Sequence, residues 1–132
     1  MKHLAIAILL ICHIPYTGVA WGHHSIEADF AAGEYITIRA LAKEFRFINP
    51  HPYVTAAELD AKGEEKEWTL MLDDRWELVE AGFSRSTFQP GDELIVTGMP
   101  SRRETNTLYV QTIERPSDGF VYQEDDGEDY DD

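Results

Sequence analysis

From Glu34 onward the chain runs through five alternating apolar–polar stretches, interrupted once by a different period. The first, Glu34 to Asn49, has Ile36, Ile38 and Ala40 in step, then Leu41, Phe45 and Phe47 on the other parity. A change of parity near Ala40-Leu41 predicts a bulge or sharp bend inside one long strand. Tyr53 to Leu59 is a second strand, and Asp60 to Glu64 a hairpin turn in which Gly63 can take positive φ. Lys66 to Leu72 is a third strand, with Trp68, Leu70 and Leu72 on one face. Glu93 to Met99 and Thr107 to Arg115 are the fourth and fifth. Between the third and fourth the period becomes helical. Asp74 is a suitable N-cap with Glu77 three residues on, and Gly82 is a stop. Trp76, Val79 and Phe83 fall at i, i+3 and i+7, which predicts Trp76 as the anchor of a two-turn helix in the core.

Three strands, a short helix and two strands is the element order of an OB-fold, a small five-stranded Greek-key barrel. The expected fold class is therefore mainly β: an OB-like β-barrel with one short helix between strands three and four. A flat antiparallel sheet with the helix on one face would share that order. Strands one and two meet at Asn49-Pro50-His51-Pro52. Both prolines fix φ and lack an N–H, and both push the preceding residue out of the helical region. Asn49 and His51 therefore sit in a stiff corner, which is either a turn with an incidental histidine or one leg of a metal site.

The ends of the chain add a compartment and a charge. Met1-Lys2-His3 precedes an apolar run of 11 residues, Leu4 to Ile14, too short for the ~20 residues that span a bilayer. Small residues follow at Gly18, Ala20 and Gly22, so residues 1–22 read as a secretory signal cut after Ala20 or after Gly22. The expected location is periplasmic or secreted, with no transmembrane anchor once the signal is removed. The one cysteine, Cys12, lies in that segment behind a large Ile11, which does not suit a lipidation site. The mature chain then has neither disulfide nor thiolate. Residues 23–119 form the domain and residues 120–132 an acidic, disordered tail. Glu124 to Asp132 holds seven of the 25 acids, and with Lys2 also removed, 18 acids against ten bases leave a body near −8. Nucleic acid is disfavoured as a partner, because phosphate binding needs a basic face.

Together, His23-His24-Ser25, Phe45 through Asn49-Pro50-His51, Trp68, Leu78 to Phe83, Pro90-Gly91-Asp92 and Gly98-Met99-Pro100 resemble an uncharacterised family of small exported bacterial proteins, domain of unknown function 6152. The resemblance covers about residues 23 to 119 and rests on order and spacing. It implies class and compartment, and no activity. The chain departs from the family where Met71 stands in place of an acidic residue, where Phe83 stands in place of tryptophan, and in its acidic tail.

The candidate metal ligands are His23, His24 and His51, and the candidate metal is copper. A cut after Gly22 makes His23 the first residue, whose amine and imidazole can chelate one ion while another histidine completes the site. A cut after Ala20 leaves Trp21-Gly22-His23, whose amine, amides and third-position imidazole suit Cu(II) or Ni(II). A solvated His-His pair is the bland alternative. A second class is a non-metal module binding a small ligand or a protein on the face of strands two and three and the neighbouring loops, by analogy with other OB-folds. Its candidate residues are Asn49, Tyr53, Trp68, Arg102 and Arg103, against the plainer view that Trp68 is core and the arginines are a solvated loop. No spacing marks a nucleophile elbow, a zincin helix or a phosphate loop, so no catalytic residue is assigned. A copper-dependent redox enzyme is the remaining alternative.

Export is checked by intact mass. Protein recovered from its native host is expected to begin at Trp21 or His23, and a mass that retains Met1 to Ala20 removes the amine-dependent copper sites.

Overall fold

The structure is a computed structural model that describes residues 26–124. The expected signal, His23 and His24, and the tail from Asp125 lie outside the described residues. Eight elements follow in order: α1 (Ile26–Asp29), β1 (Ile36–Arg46), β2 (Tyr53–Leu59), β3 (Glu65–Met71), α2 (Arg75–Glu80), β4 (Glu93–Pro100), β5 (Thr107–Arg115) and β6 (Phe120–Gln123). The sheet order is β3-β2-β1-β4-β5-β6, and β3 also pairs with β5. That pairing is parallel, Thr69 to Met71 against Thr107 to Tyr109, and it closes β1 to β5 into a barrel. The closed five-stranded barrel with its helix between β3 and β4 is the fold class expected from the element order.

Alternation fills the interior. Val54, Ala56, Leu70, Leu72, Leu94, Val96, Leu108 and Val110 point inward and are buried, as a period of two requires when one face meets the core. Ile113 rejoins the interior after an extra residue, Gln111, shifts the register of β5. In β1, Ile38, Ala40 and Ala42 hold the inward parity. The pairing with β2 slips between Ala42 and Glu44, after which Phe45 packs against the core and Phe47 is buried in it. The bulge thus lies past the expected Ala40-Leu41 position, and Leu41 is exposed. A second slip, between Thr97 and Gly98, brings β4 hard against β5. A Cβ at Gly98 would lie 2.4 Å from the Tyr109 carbonyl oxygen, so only glycine fits there.

Helix α2 starts as its cap predicts. The Asp74 carboxylate accepts from the N–H groups of Trp76 (2.7 Å) and Glu77 (3.1 Å). The reciprocal bond to the Asp74 N–H comes from Asp73 Oδ1 (2.6 Å) rather than from Glu77. The helix ends in a Schellman arrangement: Phe83 N–H bonds Leu78 O, Gly82 N–H bonds Val79 O, and Gly82 has φ 87°. The buried face is not the expected one. Leu78 plugs the barrel and is fully buried, while Trp76 is 71% exposed and Val79 is exposed. At about 100° per residue, Trp76 lies about 200° round the helix from Leu78. In a helix of six residues both stripes look apolar, and only one can face the barrel.

The expected disordered tail from residue 120 is corrected over its first part. Phe120–Gln123 forms β6 on β5, and Glu124 N–H extends the ladder to Gln111 O (2.8 Å). The physical reason is aromatic. Phe120 and Tyr122 stack edge-on against Phe83, and Phe120 does the same against Phe88, with centroids 5.1 to 5.8 Å apart. Arg115 fixes the turn before β6 by pairing with Asp92 (2.9 Å) and Asp118 (2.8 Å).

The two tryptophans give the check. Trp68→Ala is expected to cost about 3–5 kcal/mol, because a buried ring is deleted. Trp76→Ala is expected to stay within about 0.5 kcal/mol of wild type in urea denaturation. Equal losses at both positions would contradict this assignment of faces.

Candidate functional site

A second, smaller apolar cluster lies outside the barrel, over the β3–β5 seam. Leu70 and Leu108 point inward, so Met71 and Tyr109, their neighbours in the paired register, turn to the outer face. Phe30, Met99 and Tyr109 are buried there, with Ile26 and Met71 packed against them. The rings of Phe30 and Tyr109 sit 5.5 Å apart. The chain before β1 is fastened in place by its backbone: Phe30 bridges to Ser101, Ala31 N–H bonds Pro100 O (2.9 Å) and Arg102 N–H bonds Asp29 O (2.8 Å).

Beside this cluster opens a pocket of about 480 Å³. One wall is the N-terminal segment, with Ile26, Asp29 and Phe30. A second is the loop between β1 and β2, with Pro50 and His51. A third is the loop between β4 and β5, with Ser101, Arg103 and Glu104; Met71 and Tyr109 come from the seam itself. OB-folds hold their ligands with these same two loops, β1–β2 and β4–β5.

Two backbone hydrogen bonds pin the β1–β2 corner, Arg75 N–H to Pro50 O (3.2 Å) and Leu72 N–H to Pro52 O (2.9 Å). His51 is half-buried, and its Nδ1 is shielded from solvent without a hydrogen-bond partner among the described residues. A buried polar atom left unpaired costs about 1–3 kcal/mol, so it marks a place where a ligand gains by binding. Arg103 Nε stands 3.2 Å from Asp29 Oδ1, an ion-pair distance whose geometry makes no hydrogen bond. Arg103 is largely exposed, so this pair adds little stability.

Of the residues singled out in the sequence, His51 and Arg103 meet in this pocket. Trp68 does not belong to it and is corrected as a ligand platform: its ring is in the core and its Nε1–H bonds Glu58 Oε2 (2.8 Å). Arg102 is a clamp, donating from Nε to Phe30 O (3.0 Å). Asn49 is exposed and Tyr53 half-buried, and neither lines the pocket. His23 and His24 lie outside the described residues. Asp29, Met71, Glu104 and Tyr109 were missed. For Met71 and Tyr109 the outward parity of β3 and β5 was the available signal; Asp29 and Glu104 gave none.

Acidic groups gather close by. Asp73, Asp74 and Glu77 present oxygens within 4.8 Å of one another, a donor set of the kind hard cations take. A hydrogen bond shared with Asp73, some burial, and the charges of Asp73, Asp74 and Glu124 push the Glu77 carboxyl up to about 7. Tyr109, at the pocket, donates its hydroxyl to Glu124, which also accepts from Gln111 Nε2. Burial and that bond hold the Tyr109 phenol well above the ordinary tyrosine range.

A family model described as a family of unknown function (DUF6152) matches residues 12–109. The match starts inside the expected signal and ends at Tyr109, so it spans α1, both pocket loops and the seam. No curated protein matches the chain. No solved structure matches it.

Glu77 gives a pH prediction. Its folded pKa lies above the unfolded value of about 4.3, so the folded state binds the extra proton between the two. Stability from this group is present at low pH and is lost as pH rises toward 7. Glu77→Gln is expected to flatten that loss, with a gain above pH 7 of at most about 1 kcal/mol because the side chain is solvent-screened. Urea melts of both proteins between pH 4.5 and 8 read it; parallel curves would contradict it.

Proposed function

Since the chain belongs to the family of unknown function DUF6152, membership brings no activity, and we propose from its own chemistry that it is an exported, periplasmic copper-binding domain without catalysis. The ligands are His51 and the N-terminal His23 and His24. The observation that carries this reading is His51, whose solvent-shielded Nδ1 has no partner among the described residues and which lines the same pocket as Ile26. Ile26 follows His24 by two residues and His23 by three. Chain length alone keeps those two residues within about 7 and 11 Å of Ile26. The same limit holds for either cut, after Ala20 or after Gly22.

The donor chemistry favours copper. Imidazoles and a terminal amine are nitrogen donors, no thiolate is present after residue 12, and among divalent first-row ions such donors bind copper most tightly. The rigid β1–β2 corner supports the reading, because a ligand held by fixed backbone loses little entropy when it coordinates. Asp29 and Glu104 set two negative charges against the one positive charge of Arg103 at the pocket, a balance that favours a cation.

A second reading rests on size. About 480 Å³ exceeds the space of one ion and lies within the range of small-molecule sites. Ile26, Phe30, Met71 and Tyr109 would hold an apolar body, and Arg103 or His51 would orient a polar group.

Calorimetric titration of Cu(II) into processed protein separates the two. One equivalent is expected to bind tightly, with at least ~10-fold weaker binding in His51→Ala and in His23→Ala, or ~1.4 kcal/mol each. An N-terminal tag is expected to weaken binding as well. Equal weak binding by all forms would leave copper incidental and make the small-ligand module the leading reading.

A further inference from the structure

The outward positions of β3 and its exit run Glu65, Glu67, Thr69, Met71, Asp73. Met71 is the one apolar member of a polar row. Part of the reason is packing, since its side chain touches the Phe30–Met99–Tyr109 cluster, and methionine is a good filler of irregular gaps. Met99 in the same cluster shows what filling alone looks like: it is 8% exposed and does not line the pocket. Met71 is half-buried and does line it, together with His51. Among the described residues these are the one imidazole and one of two thioethers, and the fold brings both to a single pocket. The parallel β3–β5 pairing sets Met71 on the outer face beside Tyr109, and the proline corner holds His51 against the same space.

Thioether sulfur is a soft donor that selects Cu(I), whereas imidazole serves both oxidation states. Resting on the copper reading above, we propose that this pocket binds Cu(I) as well as Cu(II), with the Met71 thioether as a ligand to the monovalent ion beside His51. The site would then take up the ion in either oxidation state, with no electron transferred by the protein itself. That is the property of a carrier, which must accept and release the ion in whichever form its partners handle.

The test uses processed full-length protein and two monovalent probes: Cu(I), measured anaerobically against a competing chromogenic chelator, and Ag(I), which has no accessible redox change. Met71→Leu keeps the volume and removes the sulfur. It is expected to weaken Cu(I) and Ag(I) binding at least ~10-fold and to leave Cu(II) within ~3-fold. Met99→Leu is expected to change none of them. A direct readout needs no variant: in protein labelled with methyl-¹³C methionine, Ag(I) is expected to move the Met71 methyl resonance far more than that of Met99. Unchanged monovalent affinity in Met71→Leu, or a Met71 methyl that ignores Ag(I), overturns the proposal even if histidine-dependent Cu(II) binding holds. Monovalent binding that depends on Met71 without tight Cu(II) binding sustains this assignment and overturns the divalent reading instead. Wild type that binds neither form overturns both.

Discussion

The parallel contact between β3 and β5 is the constraint on which the rest depends. Only three residue pairs make it, Thr69 to Met71 against Thr107 to Tyr109. Without it the strands would form an open sheet with β3 as a free edge. With it, Leu70 and Leu108 are committed to the interior and Met71 and Tyr109 to the outside. The outer pair then needs cover, which Phe30 and Ile26 supply. The segment ahead of β1 is thereby tied to the β4–β5 loop, and the pocket is the space left between that segment, the β1–β2 corner and the seam.

Much of the barrel was legible because its strands obey one rule. Val54, Ala56, Trp68, Leu70, Leu94 and Val96 alternate with outward residues, and one face of each strand meets the core. The failures share a cause: the deciding information lay in another part of the chain. Helix α2 presents two short apolar stripes, and the choice between Trp76 and Leu78 is made by the barrel end that receives the helix. In β6, Phe120 and Tyr122 carry a strand period of only two residues before the acids begin. Their partners are Phe83 and Phe88, more than 30 residues away, so the local sequence looks like the start of a tail.

The candidate site was half legible for the same reason. A histidine between two prolines is conspicuous without any structure, and Arg103 stood out as a charge in a loop between strands. That the two loops meet follows from barrel closure. Asp29 and Met71 become site residues only once the N-terminal segment is seen to cross the seam. Trp68 suited a stacking platform as well as a core in the sequence, and its shared parity with Leu70 and Leu72 pointed to the core in which it lies.

The barrel leaves one strand unpaired on its outer side. β5 spends its first half on β3 and its second half on β6, and β6 has no further neighbour among the described residues. Such an edge can recruit the same edge of another copy. It is short, four residues, yet it carries the exposed Val121. Seven acids follow immediately, from Glu124 to Asp132, with no base among them. Two copies meeting at this edge would each carry that run of acids in sequence, and like charge opposes such an approach.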